Sequence, residues 1–289
     1  SEPLNSQLRY ERAELFNERG NYGTAIEDLR VAILRDSLVP KYYTLLSDVF
    51  MNSNNSSKAL LTAKTALDLF PQNEDVLMKT ANIQMLLKQN QESLFTINEL
   101  LRIKPATPKA YFLLGLNFRA LGDETRAINS FQTATEMDNS MVDAWIILGK
   151  IFEAKKQPIA ERYFSTAVEV APDNVFALHN KAYYLQNNGR EAEAIDLYTT
   201  LLKKDSTYID AHLNLGVLRL EQDSLDKAYS NFNSIVTLKP KDLKGLYFRA
   251  YTLSALGKKT AAITDLKTIL NIDSTDQKSI QLLKTIQKG

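Results

Sequence analysis

Few residues in this 289-residue sequence are suited to acid–base, nucleophilic or metal chemistry: there are two histidines, His179 and His212, and no cysteine. Catalysis needs a nucleophile, a base and a charge stabiliser converging on one pocket, or a metal held by clustered ligands. Two imidazoles without acidic residues at ligand spacing make a poor metal site. The lack of thiols removes a cysteine nucleophile, a thiolate site and a disulfide framework, and leaves the redox compartment open. No Gly-rich phosphate loop, G-x-S-x-G or H-E-x-x-H is present. The carboxylate pairs Glu74-Asp75 and Asp123-Glu124 stand at expected helix starts or turns, where negative charge stabilises the helix dipole. The sequence therefore reads as a non-enzyme with no catalytic residue, no metal and no cofactor. With 35 basic and 34 acidic residues the net charge is +1, which argues against a basic stripe and hence against a nucleic-acid partner. No apolar run is as long as a membrane span.

The elements that must position these residues show in a comb of small side chains: Ala25, Ala59, Ser93, Ala127, Ala160, Ala194, Ala228 and Ala262, spaced by 34 residues with a single interval of 33. Pro71, Pro105, Pro172 and Pro240 keep the same register twelve residues later. Glycines fall at two repeat positions, Gly115, Gly149 and Gly216 in one and Gly20, Gly122, Gly189 and Gly257 in the other. Each unit reads as two amphipathic helices around a tight turn, as in Tyr111 to Ala120 followed by Glu124 to Met137. A small residue at the crossing lets two helices approach. A large one four residues on (Leu29, Ile97, Phe131, Phe164, Tyr198, Phe232 or Leu266, with Ala63 the exception) fills the groove beside it. Glycine supplies a positive φ between the helices, and proline stops the second helix. Local distortion is expected where Gln84 replaces an aromatic residue and where the turn Lys155-Lys156-Gln157-Pro158 is one residue short. In the second unit the Asn-rich stretch from Asn52 to Ser57 stands in for the turn glycine.

The period of 34, with Trp145-x-x-Leu148-Gly149-x-x-Phe152, then Ala160-x-x-x-Phe164-x-x-Ala167, then Pro172, resembles the tetratricopeptide repeat. The resemblance implies an all-α fold, an α-solenoid in which antiparallel helix pairs wind into a right-handed superhelix. It reads as a single solenoid over 1–289, with repeats at about 6–39, 40–73, 74–107, 108–141, 142–174, 175–208, 209–242 and 243–274. A capping helix follows at 275–288. In this family the first helix of each pair lines the concave side, which implies a peptide-binding face built from His179, Asn180, Tyr183, Leu213, Asn214, Val217, Lys244, Tyr247, Phe248 and Tyr251. Asn180 and Asn214 share one offset and suggest a short asparagine ladder for an extended peptide backbone; the alternative is a pair of solvated amides. His212 takes the place of Tyr43, Tyr111 and Trp145 in other repeats and reads as a packing residue. Toward the N-terminus, Met51, Met78, Met85, Leu86, Phe112, Leu113 and Leu116 form an apolar strip that either holds an apolar or amphipathic segment or packs between repeats.

The function implied is a protein–protein interaction scaffold, with a bacterial envelope or secretion assembly as its setting. The alternatives are a chaperone-type adaptor for C-terminal peptides and a regulatory repeat domain of an enzyme. Relatives that clamp a C-terminal carboxylate place Lys and Asn at set offsets; Asn214 and Lys244 match two of five, while His179, Tyr183 and Phe248 depart, which disfavours the clamp. The triplets beginning at Asp36, Asp205, Asp223 and Asp273 (Asp-Ser-Leu or Asp-Ser-Thr) resemble an O-glycosylation sequon used by some Gram-negative bacteria on extracytoplasmic proteins; a turn role explains Asp-Ser equally well. Together with the start at Ser1 rather than Met, they favour the periplasm or an outer-membrane lipoprotein with an N-terminal lipid anchor outside this chain, and the cytoplasm is the alternative.

Overall fold

The computed structural model describes residues 5–288, so Ser1, from which a processed start was read, lies outside the described residues. Within them the helix pairs expected from the repeat are present. The first four are α1 (Ser6–Glu18) with α2 (Tyr22–Arg35), α3 (Pro40–Asn52) with α4 (Ser56–Leu69), α5 (Glu74–Leu86) with α6 (Asn90–Ile103), and α7 (Pro108–Ala120) with α8 (Glu124–Met137). Next come α9 (Val142–Ala154) with α10 (Ile159–Val170) and α11 (Val175–Asn187) with α12 (Glu191–Lys204). The last are α13 (Ile209–Glu221) with α14 (Leu225–Leu238), α15 (Leu243–Ala255) with α16 (Lys259–Ile272), and then α17 (Gln277–Lys288) alone. Two compact units divide within α9, one running up to Ala144 and the other from Trp145 onward. Each is an all-α solenoid segment. Within each unit, second helices pack on the first helix of the next pair: α2 on α3, α4 on α5 and α6 on α7 in one unit, and α10 on α11, α12 on α13, α14 on α15 and α16 on α17 in the other. Successive first helices also touch, α1 with α3, α3 with α5 and α5 with α7, and likewise α13 with α15 and α15 with α17.

The comb of small residues explains this packing. All eight, from Ala25 to Ala262, are fully buried, and so are the large residues four positions later. Where that large residue is phenylalanine, the facing position on the first helix is glycine. A Cβ added to Gly115, Gly149 or Gly216 would lie 2.6, 2.6 or 2.5 Å from the ring of Phe131, Phe164 or Phe232, closer than carbon atoms can pack. Where the large residue is Leu29, Ile97 or Leu266, the same first-helix position is Ala13, Ala81 or Ala250, each buried. Helix spacing is thus held by matched sizes across the pair.

The turn between the helices requires left-handed backbone in every repeat. Gly20, Gly122, Gly189 and Gly257 have φ of 73 to 78°, while Asn54, Lys88, Lys156 and Asp223 occupy the same position at 54 to 60°. Asn54 is the substitution expected from the Asn-rich stretch; the two lysines hold this conformation against the Cβ penalty. Helices α4, α6, α10 and α14 each stop two residues before Pro71, Pro105, Pro172 and Pro240.

Of the two distortions expected, one is present. The short turn after Lys155 delays α10 to Ile159 and leaves it 12 residues, where the other second helices have 14. The Gln84 repeat, by contrast, keeps helices of 13 and 14 residues. There the buried Gln84 Oε1 accepts a 2.9 Å hydrogen bond from Thr96 Oγ1, so a polar pair replaces an aromatic contact without disturbing the backbone. The seventh repeat does the same with Arg219, whose guanidinium donates to Asn231 Oδ1.

Candidate peptide-binding groove

The second unit presents three adjoining depressions walled mainly by first helices. One of about 640 Å³ is lined by Leu213, Asn214 and Val217 of α13 and by Leu243, Lys244, Tyr247 and Phe248 of α15. Gln186, Ile269 and residues 276–278 close its ends. A second, about 690 Å³, shares Leu213, Leu243 and Lys244 and extends past Tyr208 and Ile209 to Phe176. The third, about 400 Å³, shares Tyr247 and Phe248 and adds Leu220 and Tyr251. Shared walls join them into one trough. Of the ten residues expected on the peptide-binding face, seven line it: Leu213, Asn214, Val217, Lys244, Tyr247, Phe248 and Tyr251.

His179, Asn180 and Tyr183 do not line the trough. The His179 ring packs against Tyr208 at 5.2 Å, Tyr198 at 6.0 Å and Tyr183 at 6.3 Å between ring centroids, and its Nε2 is buried without a hydrogen-bond partner. Burial holds its pKa below the usual histidine range; Asp210 opposes that shift and Lys150 adds to it. Tyr183 lies over the imidazole and is itself exposed. The two asparagines are already engaged within the protein. Asn180 Nδ2 donates to the carbonyl of Phe176 at 2.6 Å, and Asn214 Nδ2 donates to the Tyr198 hydroxyl at 3.0 Å. Each amide has one N–H engaged in this way, which leaves its second N–H and its carbonyl oxygen for a ligand's backbone groups.

Tyr198 is the hub of this region. Its buried hydroxyl donates to Gln186 Oε1 at 3.1 Å and accepts from Asn214, tying α12 to α11 and α13, and burial raises its pKa far above the usual tyrosine value. His212 packs as expected: it is buried, with Nε2 3.0 Å from the Ser206 carbonyl and Nδ1 3.3 Å from Asn231 Nδ2. Tyr43 reaches the Ser37 carbonyl in the same way, at 3.1 Å, so the histidine performs the tyrosine's anchoring role.

Sequence offsets missed Phe176, Tyr208 and Ile209, which sit where first helices begin, and Lys278 on α17. Lys278 repeats the offset of Lys244 one period later, so extending the register into the capping helix would have found it. In the first unit, Met78, Phe112, Leu113 and Leu116 of the apolar strip line a depression of about 620 Å³ beside the Asp48–Lys79 ion pair, while Met51 and Met85 pack against the core. Among the described residues no helix is long and apolar enough to cross a membrane.

Family models described as tetratricopeptide repeat match residues 108–141, 163–196 and 243–276, and the first of these ranges is the α7–α8 pair with its flanking turns. With the helix pairs and their period, these matches identify tetratricopeptide repeats in this chain. Curated relatives include superkiller protein 3 of Schizosaccharomyces pombe, 25% identical over 281 residues, covering 94% of this chain and 18% of that protein. Human protein O-mannosyl-transferase TMTC3 is 23% identical over 216 residues, covering 72% and 23%. Human DnaJ homolog subfamily C member 7 is 26% identical over 258 residues, covering 83% and 46%. The chain thus spans about a fifth of the length of the first two. Similar solved structures include the Cut9–Hcn1 hetero-tetramer of the APC/C, with a TM-score of 0.57, 17% identity and coverage of 99% of this chain and 56% of that one. Another is the C-terminal part of a tetratricopeptide-repeat protein from Cytophaga hutchinsonii, with a TM-score of 0.55, 17% identity and coverage of 95% and 99%. At these identities the likeness is one of fold.

Proposed function

We propose that this chain is a non-enzymatic scaffold that holds an extended protein segment in the trough of its second unit. The carrying observation is the trough's mixed chemistry: an apolar wall of Leu213, Val217, Tyr247 and Phe248 beside the ammonium of Lys244 and the carbonyl oxygen of Asn214. Such a surface anchors apolar side chains while orienting a backbone. The relatives lend support, since one solved neighbour is a hetero-tetramer and another relative is named a DnaJ homolog. His179, Asn180 and Tyr183 act in this reading as the trough's flank, with Tyr183 exposed to a ligand leaving its end. The eight-repeat register, read as one solenoid, belongs to the same proposal. So does the setting, an accessory of a bacterial envelope or secretion assembly, supported by the Asp-Ser triplets.

The chaperone-type adaptor is a second reading, favoured by the DnaJ relative and by Lys244 at a clamp offset. Two features weigh against it: one of the two Asn214 amide N–H groups is taken by Tyr198, and apolar Phe248 stands where a clamp needs a cation. The regulatory domain of an enzyme draws only on the transferase name of one relative, of which this chain spans 23%.

The test is a pull-down from the native host with the intact chain and a Lys244→Ala/Tyr247→Ala variant, which removes an exposed lysine and a partly buried tyrosine at the edge of the core. Loss of a specific partner by the variant, with helical content unchanged, is expected. Equal retention by both contradicts the groove assignment.

A further inference from the structure

Two of the four Asp-Ser triplets border the trough, Asp205 and Thr207 at its second depression and Asp223 at its third, two do not line it, and the structure separates the four into two kinds on another ground. Three occupy the turn between one repeat and the next. There Asp36, Asp205 and Asp273 share nearly the same extended backbone, with φ and ψ of −144° and 91°, −134° and 93°, and −133° and 94°. Each aspartate folds its carboxylate forward onto the N–H two residues later: Leu38 at 3.3 Å, Thr207 at 2.9 Å and Thr275 at 2.9 Å. The serine between them is exposed in all three, and its hydroxyl has no hydrogen-bond partner among the described residues. In two of the three turns the serine's carbonyl is pinned, by the Tyr43 hydroxyl at Ser37 and by the His212 ring at Ser206. The third residue is exposed as well. Leu38 is 73% exposed, unusual for a leucine in so ordered a turn. The fourth triplet differs: Asp223 has φ of 54°, and the half-buried Ser224 is the N-cap of α14.

We propose that Ser37, Ser206 and Ser274 are O-glycosylation acceptors and that Ser224 is not. A transferase reading Asp-Ser-x meets the same outward-facing turn at three sites, an extended aspartate followed by a serine at the turn's tip, whereas the left-handed Asp223 and the helix start at Ser224 present a different shape. In the reaction the serine Oγ attacks the anomeric carbon of an oligosaccharide carried on a polyprenyl diphosphate. The glycosidic C–O bond forms as the bond to phosphate oxygen breaks, the hydroxyl proton passes to a base of the transferase, and the polyprenyl diphosphate leaves without redox change. The proposal rests on the envelope reading only in needing passage through a compartment that holds this donor.

The experiment is glycopeptide mass spectrometry on the full chain purified from fractionated native host cells, alongside an Asp205→Asn variant. Asparagine keeps a carbonyl acceptor for the Thr207 N–H, so the turn persists while the carboxylate is lost. The expected result is a common glycan mass on the peptides bearing Ser37, Ser206 and Ser274, none on Ser224, and loss at Ser206 alone in the variant. Bare serines in periplasmic protein overturn the proposal and leave the envelope reading standing, whereas bare serines in cytoplasmic protein overturn both. A glycan at Ser224 equal to the others, or a phosphoryl group in place of a glycan, also overturns it.

Discussion

His212 and Tyr43 satisfy the same physical requirement with different chemistry, each bonding the carbonyl six residues earlier from a buried ring. His212→Phe keeps the ring and loses both polar contacts, so a loss of about 1–2 kcal/mol in urea unfolding is expected. The left-handed turn residues make a sharper prediction. Lys88→Gly and Lys156→Gly relieve the Cβ penalty and should each raise stability by up to about 1 kcal/mol, while Gly122→Ala should lower it by a similar amount. Unchanged melts in all three would refute the strain argument. His179 gives a pH dependence. Its pKa is depressed mainly by burial, so the unfolded chain binds more protons than the folded one as pH falls through the ordinary histidine value of about 6.5. Stability is therefore lost on acidification, and His179→Phe, which suits the surrounding tyrosine rings, should lose less between neutral and mildly acidic pH.

At the scale of the element, helix pairs are spaced by matched side-chain volumes. Gly115→Ala pushes a Cβ into the Phe131 ring and should cost about 1–3 kcal/mol. Adding Phe131→Leu should recover much of that loss, because it recreates the pairing found at Ala13 with Leu29 and Ala250 with Leu266. A double-mutant cycle with no coupling would contradict size matching as the cause. The comb, the turn glycines and the prolines made this architecture legible in the sequence, because a period of 34 repeats both packing and punctuation. Compensation between paired polar residues was not legible: Gln84 with Thr96 and Arg219 with Asn231 lie twelve residues apart on facing helices, and only the crossing geometry brings them together. The end repeats hold another such pair. Arg12 grips the buried Asp28, helped by Arg9, and Arg249 grips the buried Asp265, each pair through two hydrogen bonds. Deleting the Arg249 side chain strands a buried carboxylate, a change that typically costs about 3 kcal/mol or more, and hydrogen exchange should show α15 and α16 opening first.

For the molecule as a whole, the repeat made the binding face partly readable. Seven of its ten expected residues line the trough because the offsets follow first-helix geometry. His179, Asn180 and Tyr183 depart because the Tyr198 and Tyr208 rings draw the histidine inward, an outcome that depends on side chains from other elements, and because Asn180 bonds the carbonyl one turn back in its own helix. The most direct test of the scaffold reading is photocrosslinking in the native host, with a photoreactive residue placed at Tyr247 in one protein and at Leu61, an exposed second-helix leucine, in another. A discrete protein adduct from position 247 that is absent from position 61 is the predicted result. Adducts confined to position 61, or none from 247, would contradict recognition in the trough.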